Sequence, residues 1–179
     1  MKRSITIVTL TSFLLSTAAF AQSVGEQTGV NSALGIAPKT VDFVKEAAMS
    51  DMLEIEAAKI AEHKGNPTEK QFASQMITDH TKTSSELKGM VSGDAKAALP
   101  SALDDASQKK LAKLRDARAE DFAGEYDPMQ VSAHKDATSL FERYAKGGDD
   151  PKLKDWAGKT LPALQHHLEM AQDMNKNRK

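Results

Sequence analysis

The sequence contains no cysteine and no long run of basic residues, and both absences restrict what the protein can do. Across 179 residues, 24 lysines and arginines nearly balance 25 acidic residues, for a net charge of -1. Without cysteine there can be neither a disulfide framework nor a metal site with thiolate ligands. The balanced charge argues against nucleic acid as the main partner, because binding to nucleic acid depends on a basic surface.

Several catalytic and structural signatures are also missing. The sequence has no nucleophile elbow, no phosphate-binding loop and no methionine-rich copper motif. It shows no internal repeat and no segment with the alternating hydrophobicity of a β-strand. We therefore expect an all-helical protein.

Residues 1–21 have the three parts of a secretory signal peptide. Lys2 and Arg3 give a positive start, residues 5–19 are largely apolar, and residues 19–21 read Ala-Phe-Ala, a small-x-small cleavage site. The apolar run is too short for a membrane span, and no cysteine follows it to carry a lipid. We expect an exported protein of the periplasm or cell envelope, with no membrane anchor in its mature form.

The rest of the chain divides by composition. Residues 22–39 are rich in small polar side chains and indicate a flexible leader. Residues 40–174 carry apolar stripes at helical spacing and form the predicted domain, and residues 175–179 form a polar tail. The oligomeric state cannot be read from this pattern.

Capping signals divide the domain into helices. Thr40 can cap the first helix, and Asn66-Pro67 is a strong start for the second. Pro128 either starts the third helix or kinks it, and Asp150-Pro151 starts the fourth. Pro162 should either kink the fourth helix or free one of its carbonyls. The predicted long helices cover residues 40–64, 67–91, 120–146 and 151–174, and a short charged helix covers residues 107–118.

The connections between the long helices are short, long and short in turn. This order predicts two antiparallel hairpins joined by one long crossover that contains the short extra helix. It is the arrangement of a ferritin-like four-helix bundle.

Four polar residues lie on the apolar faces of the four long helices, namely Glu54, His80, His134 and His167. Each lies near the middle of its helix, so that all four can converge in the core, where such folds build metal and cofactor sites. Imidazole and carboxylate ligands suit zinc, iron or copper, and Asp79 could orient a ligating ring. A buried hydrogen-bonded network explains the same four residues equally well.

The function therefore stays open among three classes. The interpretation we favour is an exported, non-catalytic helical bundle with a cell-envelope or stress role, whose core could hold a metal ion or small ligand. The second class is a metal-dependent redox enzyme, but the di-iron version of the fold uses two Glu-x-x-His motifs and this sequence contains none. The third is a protein-interaction module without a core site.

Short motifs spread along the chain resemble one family, the bacterial domain-of-unknown-function family 4142. The resemblance covers about residues 40–174 and implies an exported protein with a ferritin-like fold, but no established activity. Pro128 departs from the uninterrupted helix that we expect after Tyr126. The motifs are Phe43-Val44-x-x-Ala47-Ala48 with Glu54, Phe72-Ala73-x-x-Met76 with Asp79-His80-Thr81, Tyr126 with His134, and Leu161-Pro162 with His167-Leu168.

We predict that the mature protein begins at Gln22 and is found outside the cytoplasm, because the cleavage site ends at Ala21. N-terminal sequencing of protein from the periplasmic fraction checks this. A retained Met1 in that fraction would contradict it.

Overall fold

A computed structural model of the protein describes residues 23–178 and contains eight helices and no strand within that range. The prediction of an all-helical protein is confirmed. The predicted signal peptide lies outside the described residues. In chain order the helices are α1 (Val24–Gln27), α2 (Val30–Ala33), α3 (Thr40–Lys64), α4 (Pro67–Met90), α5 (Gly93–Ala97), α6 (Asp105–Asp116), α7 (Phe122–Gly147) and α8 (Pro151–Lys176).

The first hairpin pairs α3 with α4 across a connection of two residues. Asn66 forms a capping box with Glu69: its side chain accepts from the Glu69 N–H at 3.0 Å, and its own N–H donates to Glu69 Oε2 at 2.7 Å. At Gly65 there is no room for a side chain, because a Cβ on this residue would lie 2.7 Å from the carbonyl oxygen of Ala61. The tight turn makes the two helices antiparallel neighbours.

The start of α3 differs from the prediction that Thr40 is its cap. Lys39 occupies the cap position and Thr40 is the first helical residue. The Thr40 N–H donates to Asp149 Oδ1 at 3.0 Å, and its hydroxyl donates to the same oxygen at 2.6 Å. Asp149 lies between α7 and α8, so the second hairpin supplies the cap for the first.

The second hairpin pairs α7 with α8, and each helix contains a proline. Pro128 lies inside α7, so it neither starts the helix nor ends it. A proline lacks the N–H that would bond the carbonyl four residues earlier and crowds that carbonyl. That residue is Gly124, whose carbonyl oxygen lies 3.5 Å from Nη1 of Arg178. Pro162 inside α8 is likewise preceded by a glycine four residues earlier.

The two hairpins pack together, with α3 against α7 and α4 against α8. Apolar residues of the hairpins, together with Leu111 and Leu114 of α6, form two separate clusters. Cluster A contains Phe43, Val44, Ala47, Ala48, Leu87, Val91, Ala137, Leu140, Phe141, Tyr144, Leu153, Trp156, Ala157 and Leu164. Cluster B contains Leu53, Ala57, Ala58, Ala61, Phe72, Ala73, Met76, Leu111, Leu114, Phe122, Tyr126, Ala171 and Met174.

The segment predicted as a flexible leader contains α1 and α2 and makes specific contacts with the domain. Arg143 on α7 donates to Glu26 Oε1 at 2.9 Å, and both side chains are less than a tenth exposed. The same guanidinium donates to the Ile36 carbonyl at 2.6 Å. Two parts of the segment are thus tied to one residue of the second hairpin. Among residues 23–178, no helix combines the length and hydrophobicity needed to cross a bilayer.

Phe43 is the centre of cluster A and provides a test of the packing. It is fully buried, stacks on Tyr144 at 3.9 Å between ring centroids and meets Phe141 edge-on at 5.1 Å. Phe43→Ala should lower the free energy of unfolding by about 3–5 kcal/mol, because it leaves a cavity between the hairpins. Urea denaturation measures this, and exposed Glu62→Ala on the same helix should change stability by less than about 0.5 kcal/mol. A loss below about 1 kcal/mol at Phe43 would contradict this packing.

Candidate functional site

Three histidines from three long helices meet in the core. His80 on α4, His134 on α7 and His167 on α8 are each less than 5% exposed. Their ring centroids lie 5.7, 5.7 and 5.5 Å apart. One nitrogen from each ring lies within 4.8 Å of the other two, a spacing that allows all three to hold one metal ion.

His80 is held by a carboxylate from the neighbouring helix. Its Nδ1 lies 2.8 Å from Oδ1 of Asp51 on α3. The other Asp51 oxygen accepts hydrogen bonds from the hydroxyls of Thr83 at 2.9 Å and Ser84 at 3.3 Å. Asp51 therefore fixes both the orientation of the ring and its tautomer, with the proton on Nδ1.

His134 is held by its own helix. Its Nδ1 lies 2.9 Å from the carbonyl oxygen of Gln130, one turn earlier in α7. A carbonyl only accepts, so Nδ1 carries the proton and donates it. In the neutral ring, Nε2 is then an unprotonated acceptor.

His167 is held through Nε2, whereas the other two rings are held through Nδ1. Its Nε2 lies 2.9 Å from Oδ2 of Asp79 on α4, and the same oxygen accepts from Gln75 Nε2 at 2.6 Å. The Asp79 side chain is 31% exposed, whereas that of His167 is 5% exposed. Asp79 thus connects the buried ring to the surface and leaves Nδ1 as the free nitrogen.

The free nitrogens of the three rings are the exceptional feature of the core. Nε2 of His80, Nε2 of His134 and Nδ1 of His167 are buried, and none has a hydrogen-bond partner within residues 23–178. Both carboxylate oxygens of Glu54, a residue that is 1% exposed, are also buried without a partner in the same range. Buried polar atoms almost always find partners, so this concentration of unpaired acceptors is unusual, and the three histidines could hold a metal ion.

The comparisons with known proteins assign a family. The profile of a domain of unknown function, DUF4142, matches residues 25–174. The chain belongs to the DUF4142 family. No curated protein and no solved structure matches it.

In this DUF4142 protein the structure places the four predicted residues at one level of the core, on four different helices. It brings His80, His134 and His167 within reach of a common point, but Glu54 does not join the set of mutually close ligand atoms. Asp79 supports a ring, as predicted for a residue beside the site, but the ring is that of His167 and not that of its neighbour His80.

Sequence reasoning missed Asp51. It is buried and lies three residues before Glu54, on the same side of α3. That spacing was the available signal, since a carboxylate one turn from an inward-facing glutamate also faces the core. The two remaining histidines, His63 and His166, are exposed.

The site's protonation follows from its surroundings. Burial lowers the pKa of His167 to about 4 against the opposing hydrogen bond to Asp79, and burial also lowers the pKa of His134. Both rings are therefore neutral at pH 7. Burial acts in the same direction on His80, but the hydrogen bond and charge of Asp51, helped by Glu54 and Asp79, outweigh it and raise the pKa.

Another buried carboxyl group, that of Asp127, lies near the start of α7. Asp127 is 1% exposed, and its Oδ1 has no hydrogen-bond partner in the described part of the chain. Burial, and then the charge of Glu69, raise its pKa to about 6. The pKa of Asp127 is thus higher in the folded protein than in the unfolded chain, where it is near 3.9.

This shift predicts a pH-dependent penalty at Asp127. Between about pH 4 and pH 6 the folded state holds more protons at this residue than the unfolded state, so its contribution to stability falls as pH rises through that window. Asp127→Asn should therefore become more stable than the parent as pH rises, by about 1–3 kcal/mol above pH 6.

Urea denaturation of both proteins between pH 4 and pH 8 measures the difference. Asp136→Asn, an exposed change on the same helix, is the control and should show no such trend. A difference between Asp127→Asn and the parent that is independent of pH would contradict the assignment.

Proposed function

We propose that this protein binds a divalent first-row transition metal ion in its core through His80, His134 and His167. Asp51, Asp79 and the Gln130 carbonyl hold the three rings, and Glu54 supplies negative charge beside them. We further propose that the two hairpins form a ferritin-like four-helix bundle and that the protein acts in the periplasm or cell envelope. The predicted signal peptide supports the location.

The observation that carries this proposal is that one nitrogen of each ring is hydrogen-bonded to an oxygen acceptor, while the other is buried and has no partner among the described residues. A purely structural network would join the three rings and Glu54 by hydrogen bonds to one another. In residues 23–178 no such bond exists, and the outward nitrogens bond to Asp51, Asp79 and the Gln130 carbonyl. Histidine ligands in metal sites typically show this pattern, with one nitrogen on the metal and the other on an oxygen acceptor.

The ligand chemistry narrows the choice of metal. Three imidazoles suit zinc, copper, iron or nickel, and the absence of cysteine removes thiolate ligands. In a tetrahedral site with metal–nitrogen distances near 2.05 Å, ligand nitrogens lie about 3.3 Å apart. The present separations are within 4.8 Å, so small ring movements bring the three nitrogens to a metal.

Charge also favours a cation at this point. Glu54 and Asp51 are buried carboxylates, and a buried charge needs a compensating partner. Among the three rings only His80 has a raised pKa, because the effect of burial is outweighed by the hydrogen bond and charge of Asp51, helped by Glu54 and Asp79. A divalent cation at this point would compensate the charge of both carboxylates.

Calorimetric titration of zinc, copper and ferrous iron into chelator-treated protein tests the proposal. We expect one site per chain, and His80→Gln or His134→Gln should weaken binding by more than about tenfold, because each removes one of three ligands. Asp51→Asn should weaken it by about 10–100-fold, as loss of a group that orients a ligand does.

His166→Gln is the matched control. It changes an exposed histidine next to His167 and should leave the affinity unchanged. If the parent binds none of the three metals more tightly than background, the proposal is wrong and the histidines serve only the architecture of the core.

A further inference from the structure

We propose that Glu54 is not a metal ligand but accepts a hydrogen bond from a small exchangeable ligand, water in the resting protein, in the fourth position of the site. The side chains of Gln130 and Tyr126 complete the pocket for that ligand. The inference rests on the proposed metal site. It adds that the site keeps one position for a small exchangeable molecule.

The position of Glu54 is the first argument. A fourth ligand in a tetrahedral site would lie about 3.3 Å from each histidine nitrogen. Those nitrogens lie within 4.8 Å of one another, and the Glu54 carboxylate does not join the set even at that wider limit. A ligand the size of water fits between, since it can bond the metal on one side and donate to a carboxylate on the other.

The second argument is a set of polar atoms with nothing to bond. Gln130 is fully buried, one turn before His134 on the same face of α7, and neither its amide nitrogen nor its amide oxygen has a partner among residues 23–178. Tyr126 lies one turn earlier again, is also fully buried, and its hydroxyl is equally unpaired in that range. Glu54 acts on this hydroxyl as well as on His80 and His134, since its charge contributes to the pKa of all three.

Together these groups provide both kinds of hydrogen-bonding partner. Glu54 can accept, and the Gln130 amide can donate and accept. Burial raises the pKa of Tyr126 well above its ordinary value, with the charges of Glu54 and Asp127 in the same direction. Tyr126 therefore keeps its proton and can donate it to a bound ligand.

A groove of about 830 Å³ lies where the start of α4, the start of α7 and the end of α8 meet. Phe72 and Asp127 line it. The Phe72 ring also lies 5.9 Å from His134 and 6.4 Å from Tyr126. Phe72 thus separates the groove from the pocket, and its movement would admit a small molecule.

The test uses the full mature chain loaded with cobalt(II), whose visible spectrum reports its ligands. Azide, a small nitrogen donor, is the probe. We expect it to change the spectrum in a saturable way. Glu54→Gln removes a buried charge beside the ion and should weaken cobalt binding, but it should leave the visible spectrum of the bound cobalt unchanged, because no ligand is lost. It should bind azide about tenfold or more tightly, because it removes the repulsion between two negative charges in a buried site.

Two further variants test the pocket. Tyr126→Phe and Gln130→Met keep the shape of the side chain and the Gln130 carbonyl, so cobalt affinity should not change. Each should weaken azide binding several-fold, because each removes a hydrogen-bond donor. Glu62→Gln, an exposed change on α3, is the control for Glu54→Gln and should leave the affinities for both cobalt and azide unchanged.

The outcomes separate the two proposals. If the parent binds no cobalt, both the metal site and this inference are wrong. If it binds cobalt but Glu54→Gln changes the visible spectrum of the bound cobalt in the absence of azide, Glu54 is itself a ligand and only this inference is wrong. A parent spectrum that azide does not change at any concentration also overturns the inference alone.

Discussion

The structure depends on one arrangement, the hydrogen bonds that hold the outer nitrogen of each core histidine. The proton-bearing nitrogen of each ring donates a hydrogen bond to one acceptor, which is Asp51, Asp79 or the Gln130 carbonyl. Each bond fixes a tautomer, so that the remaining nitrogen presents a lone pair to the centre. The three bonds use three kinds of contact: within a hairpin, between the hairpins and within one helix. The geometry of the site is therefore tied to the packing of both hairpins.

The site also divides the hydrophobic core. On α4, His80 falls between Met76 of cluster B and Leu87 of cluster A; on α8, His167 falls between Leu164 of cluster A and Ala171 of cluster B. Because the paired helices run antiparallel, residues near mid-length come to the same level. A polar layer results between two apolar layers, with aromatic rings in both.

The general plan follows from the sequence because it depends on local signals. The Asn66-Pro67 and Asp150-Pro151 starts act within one turn of a helix, so the chain itself specifies them. The inward positions of the histidines follow from the helical period. Asp51 and the partner of Asp79 could not be predicted with the same certainty, since they depend on which helices are neighbours and on rotation about their axes.

At Pro128 and Thr40 the structure differs from what the local sequence alone favours. A proline at the seventh residue of a helix is locally unfavourable, yet α7 continues through it, with Gly124 at the crowded carbonyl. Thr40 is a good cap by composition, but Asp149 reaches across from the second hairpin and takes that role. At Thr40 a contact distant in sequence thus overrides the local preference, whereas at Pro128 the helix continues past a glycine one turn earlier.

The polar layer is unfavourable for folding, which bears on why it exists. Replacing a buried polar set by apolar residues of similar volume is often neutral or stabilising, whereas unpaired buried acceptors cost about 1–3 kcal/mol each. His80, His134, His167 and Glu54 leave five such atoms facing one region without partners in the described chain. The two apolar clusters with their capped hairpins provide enough packing to tolerate that cost. The proposed metal ion would pair these acceptors, because imidazole nitrogens and carboxylate oxygens are ligands of transition metals.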